Sequence, residues 1–398
     1  MKPRFSRFLR FLSLCLGVAV GVGLLAVMTL WGTSAVACTG FYAKAKGRVL
    51  VGNNEDGSNP DTKVWFVPGE VGKYGRMYVG YDDLSAQGGV NEKGLWFDGF
   101  GLPRKEVAST QGEIYAGDLQ DKLMAECATV AEVLKLLKRY SRAPMTRGQW
   151  IFGDRTGVSA IIEGEAIIPI RGRYQVVTNF RQSEHPSGEG YECGRYRIAE
   201  AMLKARPAIS VNEFRRILAA THSEGQDVTL YSYIADLTQG LVYLYHFHNY
   251  ENVVVLDVRK ELAKGRHLYN LPELFPKTDA AEGFDYRARS QLAAKKAARL
   301  DTRFDAKTYP DYAGRYSITS PEILARQTIT LSAGPSQLYL QLNDGGKLEV
   351  LPDSRTSFFL LGLGGWEFSF RFTRDPMERV NALVMEGGGL SIRATRVE

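Results

Sequence analysis

The sequence predicts an α+β chain that ends in a separate all-β domain. Three features predict this. Strand-like runs come first, amphipathic helices follow and strands then return, which suits sheets covered by helices rather than alternating β-α units. After Asp305 the texture becomes short strand-like runs at near-regular spacing. Between the two regions lies an Ala-, Lys- and Arg-rich stretch without a strong apolar face. The 398 residues are 44% hydrophobic and 24% charged, ordinary globular values with length for one large core or two domains. A core of that size needs no disulfide support.

The first 37 residues read as a targeting segment. Lys2, Arg4, Arg7 and Arg10 open it, and an apolar run from Phe11 to about Trp31 follows. Ala35-Val36-Ala37 closes it with the small-x-small pattern of a signal-peptidase site. The run exceeds the roughly 7–15 residues of a secretory signal and approaches the roughly 20 that span a bilayer. Three fates therefore stand open: cleavage after Ala37, an uncleaved membrane anchor, or lipidation of Cys38. For lipidation, Ala35 stands where Leu is usual. Four of the basic residues behind the net charge of +6 lie in this segment, which holds no acid; removing it leaves about +2. That gives no case for nucleic acid or acidic polymers. Contact with a membrane is expected only through this segment, and nothing speaks against a homo-oligomer.

Past the segment, the expected domains are 38–278, a linker helix over 279–304 and an all-β region over 305–398. Phe41 to Ala45 and Arg48 to Gly52 flank a Lys-Gly turn and read as a hairpin. Strands are predicted at Lys63–Val67, Arg76–Tyr81 and Gly94–Phe97. Thr129-x-x-Glu132 is a capping box opening a helix from Val130 to about Tyr140, with Val130, Val133, Leu134 and Leu137 on one face. Ser210-x-x-Glu213 opens another helix to about Ala220, and Tyr196–Ala205 also has helical periodicity. Further strands are predicted at Trp150–Phe152, Val158–Glu163, Ile167–Ile170, Tyr174–Thr178, Thr229–Ala235, Leu241–Phe247 and Val253–Leu256. In the last region the strand runs suggest a small barrel. Its Tyr312-Ala-Gly-Arg-Tyr opening resembles the β-barrel modules appended to some bacterial serine hydrolases.

Cys15 leaves with the segment, so Cys38, Cys127 and Cys193 remain, an odd number for an exported chain. One account is a Cys127–Cys193 disulfide and a free Cys38 with a task. The other is that Cys127 and Cys193 are buried thiols. If the chain is cut after Ala37, Cys38 carries a thiol and a free α-amine. The thiolate is the nucleophile, and an amine of pKa about 8 can take its proton. One residue would then supply nucleophile and base. Asn53-Asn54-Glu55-Asp56, ending the second strand, can turn a carboxylate back toward that amine.

Cys38-Thr39-Gly40, Gly52-Asn53-Asn54-Glu55-Asp56 and Asn91-Glu92-Lys93-Gly94-Leu95 resemble, in this order, the linear amide C–N hydrolases. That family includes choloylglycine hydrolases, penicillin V acylases and acid ceramidase-like amidases. The resemblance runs from Cys38 to about Arg259, through Trp150-Ile-Phe-Gly-Asp154, Val177-Thr178-Asn179 and Gly194-Arg195-Tyr196. It implies an N-terminal nucleophile hydrolase with a four-layer αββα sandwich. It also implies that Cys38 is nucleophile and base, that Asp56 holds the amine and that Asn179 donates to the oxyanion. Arg195 would favour the thiolate, and Asn91 and Gly94 would form a structural turn.

Two positions depart from the bile-salt hydrolase branch: Asn53 stands for an arginine, and Gly101 for a second oxyanion asparagine. A backbone N–H near Gly101 is the expected substitute. Asn53, Trp96, Phe100 and Gly101 are the expected substrate contacts, with Trp65 and Phe97 as further candidates for an acyl pocket. No cofactor and no metal are expected. His246-x-His248 would share a strand face, but no carboxylate or cysteine pattern accompanies it. The implied activity is hydrolysis of small N-acyl amides through a thioester. The alternatives are an acyltransferase or dipeptidase on the same scaffold, or a lipid-anchored binding protein with Cys38 as the attachment point.

Overall fold

The computed structural model describes residues 38–397 except positions 109, 110, 116, 186–192, 207, 226, 322, 323, 325, 326, 343–346, 364–366, 388 and 389. The expected targeting segment lies outside the described residues. The chain begins with β1 (Thr39–Ala45), β2 (Arg48–Gly57), β3 (Thr62–Val67), β4 (Arg76–Tyr81), β5 (Ala86–Asn91) and β6 (Leu95–Gly101). Helices α1 (Leu119–Glu126) and α2 (Val130–Leu137) precede β7 (Gly148–Asp154), β8 (Ser159–Ile162), β9 (Ile167–Pro169) and β10 (Tyr174–Val177). Then come α3 (Gly194–Ala205), α4 (Val211–Thr221), β11 (Val228–Asp236), β12 (Leu241–His246), β13 (Asn249–Asp257), α5 (Val258–Leu262) and β14 (His267–Asn270).

These strands form two antiparallel sheets. One has the order β10-β1-β2-β11-β12-β13, the other β14-β3-β4-β5-β6-β7-β8-β9. The β1–β2 hairpin is the predicted one. Lys46 and Gly47 both take left-handed backbone, at φ 49° and 77°, as a two-residue turn matched to strand twist requires. The hairpin register sets Thr39 opposite Asn54 and Ala45 opposite Arg48.

Strand alternation divides the side chains into separate cores. Val49, Val51, Val64, Phe66, Met77 and Ile151, drawn from both sheets, share one core with Cys38. On the other face of the first sheet, Phe41, Leu50 and Ile234 pack with Tyr196, Leu203, Phe214 and Leu218 of α3 and α4. On the other face of the second, Phe97, Phe152 and Ile162 pack with Leu123, Val130, Val133 and Leu137 of α1 and α2. The capping box opening α2 is formed as predicted, with Thr129 accepting from the Glu132 N–H. Ser210 caps α4 in the same way. The sequence reading did not foresee β5 or α1.

A long helix, α6 (Asp279–Arg299), follows and buries none of its residues. Ion pairs and one ring fasten it. Arg289 pairs with Asp61, and Phe284 packs on the core between the sheets. Further along, Lys296 reaches Glu349 at 3.3 Å, and Arg299 reaches Asp353 at 3.1 Å with its guanidinium 4.4 Å from the Phe359 ring centre.

After a short turn, α7 (Tyr309–Tyr312), the last strands close on themselves, as the spacing suggested. They are β15 (Gly314–Ser320), β16 (Thr328–Ala333), β17 (Leu338–Leu342), β18 (Leu348–Pro352), β19 (Ser357–Leu361), β20 (Glu367–Arg374), β21 (Val380–Gly387) and β22 (Leu390–Arg396). Each pairs with the next and β22 returns to β15. Closure leaves no unpaired sheet edge. Alternate residues such as Phe358, Leu360, Phe370, Phe372 and Leu383 fill the interior.

The N-cap of α2 gives a local test. Thr129→Ala removes the oxygen that accepts from Glu132 and should cost about 1 kcal/mol. Thermal denaturation should show a lower melting temperature, and an unchanged one would mean that the cap contributes nothing.

Candidate active site

Residue 38 sits where β1 begins, beside the end of β2. The Cys38 thiol lies 3.8 Å from the main-chain oxygen of Asp56 and is buried. Strand alternation at the end of β2 sends neighbouring side chains to opposite faces. Asn54 turns toward the helices, donating to Leu218 O of α4 at 3.0 Å. Glu55 turns the other way and accepts from the Tyr81 hydroxyl of β4 at 3.3 Å. Asp56 returns to the helix side, where Arg195 of α3 meets it.

Arg195 brings the expected catalytic residues together. Its Nη1 donates to Cys38 O at 2.8 Å, Thr39 Oγ1 at 3.1 Å and Asp56 Oδ2 at 3.4 Å. Its Nη2 donates to Asn179 Oδ1 at 3.5 Å. On its other oxygen, Asp56 accepts from the Thr229 hydroxyl. A β-bulge between Thr229 and Tyr231 lets β11 deliver that hydroxyl where regular pairing would turn it away.

The electrostatics are those of buried acids. Burial pushes the Asp56 carboxyl up to about 7, against the lowering effects of Thr229 and Arg195. Burial, with the neighbouring Asp56 charge, pushes Glu55 up as well. Asp98 of β6 goes up for the same first cause, with Glu55 adding to it. The Cys38 thiol is pushed well above its ordinary value by burial first, then by Glu55 and Asp56. The Arg195 guanidinium engages the Cys38 carbonyl and Asp56.

The other expected residues divide. Asn179 Nδ2 donates to Gly101 O at 3.0 Å, so its donor faces a carbonyl of this chain. The same bond brings Gly101 to the site. Asn53 is buried beside Glu55, its Nδ2 3.4 Å from Glu55 Oε2, while Oδ1 has no hydrogen-bond partner among the described residues. Trp96 and Phe100 share the core of Cys38, and Trp96 Nε1 donates to the Tyr233 hydroxyl at 2.7 Å. Phe100 packs so closely on Gly40 that a Cβ there would lie 2.5 Å from its ring. Trp65 and Phe97 instead pack under α1 and α2, away from the thiol. Asn91 is structural, as the resemblance implied: its Nδ2 donates to Met124 O and Cys127 O, both at 2.8 Å. Gly94 takes φ 80° in the same turn.

The sequence reading missed Glu55 and Asp98. Asp98 accepts from the Tyr233 hydroxyl; among the described residues, its buried Oδ1 and the buried Tyr231 hydroxyl have no partner. The available signal was parity. Residues 53 and 55 lie on one face of β2, the face of Cys38, whereas Asp56 lies on the other.

The disulfide account also fails. Cys127 and Cys193 are both free and buried, one under α1 and α2 and the other under α3 and α4, in different cores. Cys193 instead contacts Thr178 Oγ1 at 3.4 Å. A cavity of about 670 Å³ opens beside α6, lined by Leu230, His246, Phe247, Phe275, Phe284 and Arg289 among others. None of the expected site residues lines it.

The geometry thus defines a cysteine-centred polar site at the mouth of a strand hairpin. No family model and no curated relative matches the chain. Solved structures do. Two variants of the conjugated bile acid hydrolase from Clostridium perfringens are similar to it. One is 20% identical, over 61% of this chain and 97% of that one, at a TM-score of 0.47. The other is 21% identical, over 58% and 96%, at 0.46. Penicillin V acylase from Agrobacterium tumefaciens is 18% identical, over 58% and 90%, at 0.46.

The raised acids predict a pH dependence of stability. Asp56 and Glu55 hold their protons more tightly folded than unfolded. Their contribution is therefore full below the ordinary carboxylate range and is lost as pH rises, for Asp56 up to about 7. Urea denaturation of the uncut chain should show falling stability between about pH 4 and about pH 7. Asp56→Asn and Glu55→Gln should each flatten that slope. A flat wild-type profile would contradict the burial argument.

Proposed function

We propose that the chain is an exported hydrolase that cleaves the C–N bond of linear N-acyl amides, with Cys38 as an N-terminal nucleophile. The observation that carries this reading is the convergence of Cys38, Asp56 and Asn179 on the Arg195 guanidinium. Cleavage after Ala37 would create an α-amine of pKa about 8 on Cys38 itself, a base beside the sulfur. The packing of helices, sheet, sheet and helices supports the αββα sandwich that the motif order implies.

The reaction follows from these parts. The α-amine takes the thiol proton, and Cys38 Sγ attacks the amide carbonyl. The C–N bond breaks as the amine returns that proton to the leaving nitrogen. Water then cleaves the thioester, releasing the acid and restoring the thiol. Asp56, held by Thr229 and Arg195, orients the amine. Asn179 supplies a side-chain N–H for the oxyanion once the acyl group displaces it from the Gly101 carbonyl. Trp96 and Phe100 offer apolar surface next to the sulfur, and Asn53 a polar group. The apolar run before Ala37 would carry the chain out of the cytoplasm, and no cofactor takes part.

The mature protein tests this reading. Its mass should begin at Cys38 and gain one alkyl group with limiting iodoacetamide. A panel of N-acyl amides should be cleaved. A competing amine separates hydrolysis from acyl transfer. A mass that retains residues 1–37, or a diacylglycerol on Cys38, removes the catalytic amine and favours a binding protein. Cys38→Ser should lower turnover by about 10³-fold or more without altering the fold. Full turnover in that variant ends the nucleophile assignment. Asp56→Asn should leave the thiol alkylatable but slow single-turnover acylation by roughly 10²-fold; an unchanged rate would make Asp56 purely structural.

A further inference from the structure

Behind Asp56, three side chains converge that the reaction does not use. His222 caps the C-terminus of α4, Glu224 lies two residues on, and His248 sits in the turn between β12 and β13. Their nearest ligand atoms all lie within 4.8 Å of one another. The sequence had suggested His246 with His248 on one strand face. The structure corrects this, because Phe247 and His248 form the hairpin turn with φ 46° and 61°, which turns His248 away from the strand pattern.

The chemistry of the two rings is specific. His222 Nδ1 lies 2.6 Å from Ala219 O, a contact that requires an N–H on that nitrogen. In the neutral ring Nε2 then bears a lone pair, yet it lies 2.9 Å from Glu224 Oε1, itself an acceptor. His248 Nε2 is buried and has no hydrogen-bond partner among the described residues. The His222 ring is thus fixed through one nitrogen by main chain and turns the other toward Glu224. Metal-binding histidines are held in this way.

We propose that His222, Glu224 and His248 bind a divalent transition-metal ion, zinc being the natural occupant of two imidazoles and a carboxylate. Tetrahedral zinc holds its ligand atoms about 3.4 Å apart. His222 Nε2 and Glu224 Oε1 are already 2.9 Å apart, and Glu224, 75% exposed, has room to adjust. Three protein ligands leave a fourth position for water. The site is also wired to the thiol site. Ser223 N–H donates to Thr229 Oγ1 at 2.8 Å, and Thr229 in turn donates to Asp56.

The test uses the full chain carrying Cys38→Ser, so that the thiol cannot bind metal and the readout is independent of catalysis. The protein is stripped with a chelator and titrated with zinc chloride against a chromophoric zinc indicator. Bound metal is then counted by mass spectrometry of the element. One zinc per chain is expected, and cobalt in its place should show the visible absorption of a four-coordinate ion. Glu224→Gln and His248→Ala should each weaken binding at least about tenfold, whereas His246→Ala should not. Should His248→Ala fail to fold, Glu224→Gln on the surface still decides. No zinc bound would mean that the cluster is only a His222–Glu224 ion pair. Undiminished binding in Glu224→Gln and His248→Ala would place the metal elsewhere. Either result overturns the proposal.

Discussion

One guanidinium against a buried carboxylate is the interaction on which the site depends. Arg195 reaches in from the start of α3 and holds the Cys38 carbonyl, the Thr39 hydroxyl, the Asp56 carboxylate and the Asn179 side chain. These groups belong to three separate segments of the chain. Removing the arginine would leave Asp56 buried with the Thr229 hydroxyl and the more distant His222 to offset its charge, a costly arrangement in a water-poor interior.

Local order was legible in the sequence wherever local chemistry determined it. The Lys46-Gly47 turn, the Thr129 and Ser210 caps and the strand run of the barrel each carry their instruction within a few residues. The strand β5 did not, since Ala-Gln-Gly-Gly-Val-Asn has weak strand propensity and is a strand because β4 and β6 enclose it. The helix α1 was hidden by its weak amphipathicity. The residues around Arg195 were found by motif order. Glu55 and Asp98 were not: the parity that puts Glu55 on the face of Cys38 went unread, and Asp98 comes to that face only when two sheets stack. The histidine cluster escaped for the same reason: its members come from a helix end and a hairpin turn. The pairing of Cys127 with Cys193 was arithmetic, and packing overruled it.

The two sheets and the barrel show different solutions to one problem. The sheets cover their faces with helices and with each other, leaving edge strands such as β13, where Val253 and Val255 are about half exposed. The barrel removes its edges by closing. The helix α6 stands between the two as a polar strut.

That strut makes the link between the halves electrostatic. Its attachments include Arg289 to Asp61 toward the sheets, and Lys296 and Arg299 to Glu349, Asp353 and Glu367 toward the barrel, with Phe284 as an apolar anchor. Pairs of this kind weaken as dissolved salt shortens the reach of charge, while apolar cores do not. Dissolved salt would thus loosen this joint while leaving the apolar cores on either side of it in place.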